Sequence, residues 1–234
     1  LHLSIRRQRQ MCIRDSAWLV LVKDLRIEGR SRVGLGQIGP LALLMLVLFA
    51  FALGADKTSL VAGAPGLYWI AVLFVSVIAT QRAFAIERAD GARDSLKLVG
   101  LDPTGVFLGK ALALATQLAI LEVVLALGVA FLYNASFSGY VLLFATGVAA
   151  TVGLSAAAVA YGALAASTRM SETILPLLLL PVLAPVLLGA TEAWKAGLAG
   201  HPSVGEPWLR LLAVFAAVYL AVGAISFGPL MEEG

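Results

Sequence analysis

Glu122 is the residue of this sequence whose type and setting most suggest chemistry. It lies near the middle of a long apolar run, where a carboxyl group is costly to bury. Such a group could relay protons, line a substrate path or form a hydrogen bond that joins two helices. Lys110 lies about 18 Å away on the same predicted helix, too far to pair with it. The sequence leaves the functional and the structural roles of Glu122 open.

The second candidate is the charged connection, residues 82–104, which separates two apolar runs. Its pattern predicts a helical extension of the preceding run, a turn near Gly91 and a short helix that ends around Gly100. A helix with mixed charge and an apolar stripe can dock into a groove on a soluble partner. ABC transporters pass force between membrane subunit and ATPase through such a helix, although a plain solvated loop is the alternative. The charged residues are Arg82, Glu87, Arg88, Asp90, Arg93, Asp94, Lys97 and Asp102.

Other chemistry-bearing motifs are absent from the sequence. The segment from Gly105 to Ala111 resembles a P-loop, but it has three residues between its glycines and an alanine after Lys110. Outside the first 16 residues there is one histidine, His201, and no cysteine, so neither a metal site nor bound haem is expected. No hydrolytic set of side chains is evident. We therefore expect no enzyme activity, no ATP site and no cofactor on this chain.

The elements that must position these residues are membrane-spanning helices. Of the 234 residues, 60% are hydrophobic and only 13% are charged, and the apolar runs are about as long as a bilayer requires. Strand-like alternation is missing, so the expected fold class is an all-α membrane protein with about six spans. The spans are predicted near residues 37–55, 66–81, 106–132, 138–166, 173–190 and 209–229. Tyr68 and Trp69 then fall at a span start, where interfacial aromatic residues are common.

The segments outside these spans carry further predictions. Residues 1–16 are polar and basic, unlike the apolar chain that follows, and are interpreted as an artefact or a disordered extension. This leaves 17–234 as a single membrane domain. Residues 17–33 are amphipathic and predict an interfacial helix whose basic side faces anionic lipid, with a simple tether as the alternative. The small residues of the fourth span predict close helix packing. After the fifth span we expect a polar loop that contains Glu192, Trp194, Lys195, His201 and Glu206.

The basic residues predict the orientation of the chain. With the amino terminus inside, Lys57, Lys195 and Arg210 lie outside, and the other 14 of the 17 Lys and Arg residues lie inside. This distribution obeys the positive-inside rule. Both termini and the charged connection are therefore expected in the cytoplasm, and the basic residues are topology signals rather than a nucleic-acid site.

Several stretches of the sequence resemble the CcmB family of haem exporter B proteins. The most specific is WIAVLFVSVIATQRAFAIERADGARDSLKLVGLDPTGVFLGKALAL, residues 69–114. KDLRIEGRSR (23–32), YGALAASTR (161–169) and ETILPLLLLPVLAPVLLGATEAW (172–194) add to it. The resemblance covers about residues 17–233 and does not extend to residues 1–16.

The resemblance implies a membrane subunit of an ABC transporter with the type-2 exporter fold, in the bacterial inner membrane. Its expected partners are a CcmA-type ATPase, CcmC- and CcmD-type membrane subunits, a holo-CcmE-type chaperone, a second copy of itself and membrane lipid. The complex would act in haem delivery, or in release of the haem-loaded chaperone, for cytochrome c maturation. Haem would be handled by the complex, because the tryptophan-rich haem motif of the partner is absent here. The coupling positions would be Arg82, Glu87, Arg88, Asp90, Gly91, Asp102 and Pro103.

Two other functions are compatible with the sequence. An autonomous secondary transporter could use Glu122 as its proton site, and it would work without an ATPase. A scaffold could hold a haem-handling complex together without transporting anything. The charged connection favours the ABC interpretation over both.

Overall fold

The computed structural model describes the backbone of residues 2–31, 34–54, 56–89, 101–134, 138–166 and 171–232, and these parts contain helices and short turns without strands. The long helices are α1 (His2–Ser31), α2 (Gly39–Ala52), α3 (Lys57–Ala89), α4 (Pro103–Tyr133), α5 (Tyr140–Ala166), α6 (Ser171–Leu198) and α7 (Pro202–Glu232). A π-helical turn, Gly34–Ile38, leads into α2. Asp56 precedes α3, and its Oδ2 accepts a hydrogen bond from Ser59 N at 2.9 Å. The Ser59 amide is also the main reason that the pKa of Asp56 is lowered.

Five of these helices are long and apolar enough to cross a membrane, and they contain Lys57–Ile86, Pro103–Tyr133, Tyr140–Ala165, Ile174–Leu198 and Pro202–Pro229. A sixth span is possible where Ile13–Ser31 and Gly36–Ala52 meet at a bend of 50°. The protein is therefore an all-α, multi-span membrane protein, as the composition predicts.

Two predictions about helix ends are wrong. The expected polar loop after the fifth span is mostly helix, because α6 continues to Leu198 and α7 begins at Pro202. Its charged residues pair along the helix faces instead of lining a loop: Lys195 lies 2.6 Å from Glu192, and Arg210 lies 3.3 Å from Glu206. Charged side chains that pair one turn apart are compatible with a helix beyond the hydrocarbon layer.

The second wrong prediction concerns the aromatic residues of α3. This helix begins at Lys57, nine residues before the predicted span, so Tyr68 and Trp69 lie three turns inside it. Both are buried, with exposures of 2% and 0%. They pack in the bundle core and not at its rim.

α5 is the most closely packed helix of the bundle, as its small residues predict. Ala156, Ala157 and Ala158 are completely buried. A Cβ atom at Gly153 would lie 2.9 Å from the Phe215 ring of α7. Helix backbones approach this closely only where side chains are small.

α1 packs lengthwise against α4. Val20 is 1% exposed, and a Cβ atom at Gly105 or Gly109 of α4 would collide with the α1 backbone. The helix passes through residue 16 without interruption, and Ser16 Oγ accepts a hydrogen bond from Asp102 N at 3.3 Å. The amphipathic segment thus uses one face to contact the bundle.

Candidate functional site

Two acidic residues of α1 face two basic residues of α3 and α4. Asp24 and Glu28 are one turn apart, so they lie on the same side of the helix. Asp24 Oδ2 is 3.6 Å from Lys110 Nζ, and Glu28 Oε2 is 3.4 Å from Arg82 Nε. These four residues are called the charge cluster below.

The charge cluster is largely shielded from solvent. The Lys110 side chain is 7% exposed and its ammonium lies 5.3 Å from the centre of the Phe84 ring, in cation–π range. Asp24 also lies 2.7 Å from Lys23. These ion pairs are not among the predictions made from the sequence. The available signal was the spacing of Asp24 and Glu28 on the helix, which places both carboxylates on one face.

Arg82 joins the end of α3 to α1 through two contacts. Besides its pair with Glu28, its Nη2 donates a hydrogen bond of 2.8 Å to Ser31 Oγ, and Ser31 Oγ donates to the Glu28 carbonyl oxygen at 2.9 Å. The Arg82 side chain is 21% exposed. The structure thus places the first of the predicted coupling residues against α1.

Asp102 and Pro103 form the start of α4. Asp102 is the N-cap, and its Oδ1 accepts a hydrogen bond from Gly105 N at 3.0 Å. Pro103 occupies the first helical position, where its missing N–H has no hydrogen bond to lose. The structure therefore gives these two predicted coupling residues a capping arrangement that fixes where the connection ends.

Removal of this cap has a predictable cost. Asp102→Ala leaves the Gly105 amide without its acceptor, so we expect a loss of about 1 kcal/mol in stability. In a chain of this size that corresponds to a fall in melting temperature of about 2–4 °C, measured by thermal unfolding in detergent. Asp102→Asn keeps an acceptor oxygen and should retain most of the stability. Equal losses in both variants would contradict the capping role.

The other predicted coupling residues are not placed by the structure. Glu87 and Arg88 belong to the last turn of α3, but their side chains lie outside the described residues. Asp90, Gly91 and the short helix expected to end around Gly100 also lie outside them. The turn and the short helix remain predictions.

Glu122 is buried in α4 and contacts α5. It is 8% exposed, and its Oε1 accepts a hydrogen bond of 2.6 Å from Thr151 Oγ1. The same hydroxyl lies 2.7 Å from the Gly147 carbonyl oxygen. A threonine hydroxyl has one hydrogen, so Thr151 shares it between two acceptors. Glu122 therefore joins two helices, as the structural interpretation predicts, but it receives only a shared hydrogen bond from Thr151.

An aromatic cluster lies beside Glu122. Tyr68 stacks on Trp194 with ring centres 4.0 Å apart, and Trp69 meets both rings edge-on. The Tyr68 hydroxyl donates to the Glu122 backbone carbonyl at 3.2 Å. These contacts fix α3, α4 and α6 together around the carboxyl group.

Within the described ranges, no three His, Cys, Asp or Glu residues lie close enough together to hold a metal ion. His201 is exposed in the short link between α6 and α7. The candidate site therefore consists of the charge cluster, the cap of α4 and the buried carboxyl of Glu122.

The family model described as CcmB protein matches residues 15–232, which include all of these positions. The chain belongs to the CcmB family. Among similar proteins is the heme exporter protein B of Paracoccus denitrificans, 30% identical over 88% of this chain and 93% of the relative. That of Bradyrhizobium diazoefficiens is 31% identical over 91% and 95%. That of Haemophilus influenzae is 26% identical over 90% and 92%. The CcmB match runs from the middle of α1 to the end of α7.

Proposed function

We propose that this CcmB-family protein is the membrane subunit of an ABC-type complex that acts in haem delivery for cytochrome c maturation. The family match and the names of the relatives supply the substrate class. ATP hydrolysis is assigned to a separate CcmA-type subunit. Haem is the cargo of the complex, moved directly or released on its loaded chaperone.

The observation that carries the proposal is the way both ends of the charged connection are held. At its start, Arg82 of α3 binds Glu28 and Ser31 of α1. At its end, Asp102 caps α4 while α4 packs against α1. A displacement of the charged connection would therefore be transmitted to α1, α3 and α4 together. This is the mechanical property that a contact surface for an ATPase requires.

The orientation proposed for the chain follows the basic residues. The charge cluster, with Arg82 and Lys110, lies at the end of the bundle that the positive-inside rule assigns to the cytoplasm. Lys195 and Arg210 lie at the opposite ends of their spans. We place the protein in the bacterial inner membrane with both termini in the cytoplasm, where an ATPase can reach the connection.

The same proposal includes membrane partners. CcmC- and CcmD-type subunits, a holo-CcmE-type chaperone and a second copy of this chain would complete the complex. Lipid would cover the remaining apolar surface. The coupling role extends to Glu87, Arg88, Asp90 and Gly91.

Fewer observations support an autonomous proton-coupled transporter than support the ABC-type subunit. Glu122 borders a space of about 470 Å³ whose walls are mainly apolar, and proton coupling needs a polar route to water. In that case Glu122→Gln would abolish haem-dependent function even when the ATPase is active.

A pure scaffold would keep its function with an ATPase that cannot hydrolyse ATP.

The proposal is tested by replacing residues 90–100 with a Gly/Ser segment of equal length and co-expressing the protein with the CcmA-type ATPase. We expect the wild type to retain the ATPase in a detergent pull-down and the variant to lose most of it. A matched variant carries the same replacement over residues 134–139, the connection between α4 and α5 on the opposite side, and should bind normally. Equal retention of the ATPase by all three proteins would overturn the docking role.

A further inference from the structure

A pocket lies between α1, the π-helical turn, α3 and α4, beside the charge cluster. Its volume is about 440 Å³, which is within the usual range for sites that bind small molecules. Gly29 of α1 and Gly36 of the turn line it. A Cβ atom added at either glycine would meet no other atom within 4 Å, so both glycines border open space. The pocket therefore has room for a ligand at the bend between α1 and α2.

The pocket is polar at one end and apolar at the other. Glu28 and Arg82 line the end that carries the charge cluster. Ile120 and Leu121 line the other end, about 15 Å further along α4 than Lys110. Ile120 is 44% exposed, so this end opens to the lipid that surrounds the bundle. Such a pocket suits an amphiphile with a polar head and an apolar chain.

The polar end lies at the edge of the hydrocarbon layer. A hydrocarbon core of about 30 Å takes about 20 helical residues, and counted back from Tyr133 at the end of α4 it reaches about residue 113. Gln117, which also lines the pocket, lies one turn inside that boundary. Arg82 directly follows the apolar run of residues 66–81. The headgroup and ester groups of a phospholipid lie at this level of the bilayer.

Three polar side chains of the pocket have hydrogen-bonding capacity that the described residues do not use. The Arg82 guanidinium donates through Nε and Nη2, which leaves Nη1 without an acceptor there. Glu28 Oε1 is buried without a donor. The Gln117 side chain makes no hydrogen bond within the described ranges. Buried polar groups in proteins are normally paired, so these groups indicate a bound partner.

The charges at the polar end favour a zwitterion. Among the described residues that line the pocket, Glu28 and Arg82 are the charged ones, and their charges cancel. A phosphate suits the free edge of the guanidinium. A primary ammonium suits Glu28, whose soft terminal torsion allows the carboxylate to turn Oε1 toward the pocket. A choline headgroup has no N–H to donate, and a glycerol headgroup has no cation to offer the carboxylate.

We infer that this pocket binds a phosphatidylethanolamine molecule of the membrane. Arg82 binds the phosphate, Glu28 binds the ammonium, and the Gln117 amide donates to an ester carbonyl oxygen. An acyl chain lies along Ile120 and Leu121. The site requires neither haem nor an ATPase, so it stands apart from the proposed function.

The test is native mass spectrometry of the purified protein in detergent, titrated with dioleoyl lipids that differ only in the headgroup. Phosphatidylethanolamine is compared with its N-methyl and N,N-dimethyl derivatives and with phosphatidylcholine, a series that removes N–H donors and keeps the charge. We expect phosphatidylcholine to bind about tenfold more weakly than phosphatidylethanolamine, the effect of one charge-assisted hydrogen bond, with the dimethyl lipid between them. Equal affinities along the series would overturn the inference. So would tighter binding of phosphatidylglycerol than of phosphatidylethanolamine.

Two variants test the polar contacts separately. Glu28→Gln removes the charge that faces the ammonium and should reduce the headgroup preference to less than about twofold. Since Glu28 also pairs with Arg82, Gln117→Met provides a variant that leaves this pair intact. It should weaken binding of both lipids severalfold and keep the preference between them. Thr116→Val removes a hydroxyl that bonds within α4, outside the pocket, and should bind like the wild type.

A second pair of variants tests the location of the lipid. Gly29→Leu places a side chain in the open space of the pocket and should weaken phosphatidylethanolamine binding at least severalfold. Ala217→Leu adds similar bulk to the exposed face of α7 and should leave binding unchanged. Unchanged binding in Gly29→Leu would place the lipid elsewhere and overturn the inference.

Discussion

Replacing Asp24 with leucine is expected to destabilise the protein by about 2–3 kcal/mol. The variant removes the carboxylate that faces the Lys110 ammonium, whose side chain is 7% exposed. An ammonium group that loses one of its buried counterions loses part of the attraction that had offset its desolvation. Thermal unfolding in detergent, followed by tryptophan fluorescence, should show a fall in melting temperature on the order of 10 °C.

The double variant Asp24→Leu/Lys110→Leu is the test of the mechanism. With both charges absent, the site holds apolar groups of similar size, and such replacements of buried pairs are often neutral. We therefore expect most of the lost stability to return. If the double variant is as unstable as the two single variants added together, the charge pair is not the cause.

An exposed pair provides the matched control. Arg210 and Glu206 lie 3.3 Å apart, similar to the 3.6 Å between Lys110 and Asp24, but their side chains are 79% and 58% exposed. Glu206→Leu should change stability by less than about 1 kcal/mol, because water screens this pair. A larger loss of stability in Asp24→Leu than in Glu206→Leu would show that the loss depends on the burial of the ion pair and not only on its presence.

The fold class follows from the sequence because hydropathy and length act locally. Each apolar run had to become a helix, whatever its neighbours, since a bilayer offers no partner for backbone amides. The start of α4 follows as well, because the Asp102–Pro103 pair carries its own capping signal. Local signals fail where polar residues continue a helix beyond the apolar run, which is why the helical residues after the fifth span were predicted as a loop.

The pairs of the candidate site depend on tertiary packing. Asp24 and Lys110 lie far apart in sequence, and Thr151 is one of several hydroxyl groups that could have reached Glu122. The spacing of Asp24 and Glu28 shows that both carboxylates share a face, but it does not show that the face turns inward. Tyr68 and Trp69 illustrate the same limit, because their burial depends on how far α3 extends before them.

The contact between α1 and α4 depends on glycine, so Gly109→Leu should have a comparably large effect. A Cβ atom at Gly109 would lie 2.5 Å from the Ala17 carbonyl oxygen and 2.8 Å from Val20 Cβ. A backbone oxygen in a helix cannot move alone, so α1 must shift away from α4. We expect a loss of about 3 kcal/mol in thermal unfolding, at the upper end of typical overpacking costs.

The same substitution at Gly29 is the control. Gly29 lies on α1 with no atom within 4 Å of an added Cβ, so Gly29→Leu meets open space. Replacing a helical glycine removes conformational freedom from the unfolded chain, and the expected change is a gain of up to about 1 kcal/mol. If Gly29→Leu raises the stability while Gly109→Leu lowers it, the cost at Gly109 comes from the contact with α1.

Because that contact also brings Asp24 to Lys110, adding Asp24→Leu to Gly109→Leu should cost less stability than the two single losses combined. Strict additivity would mean that the helix contact and the charge cluster are independent.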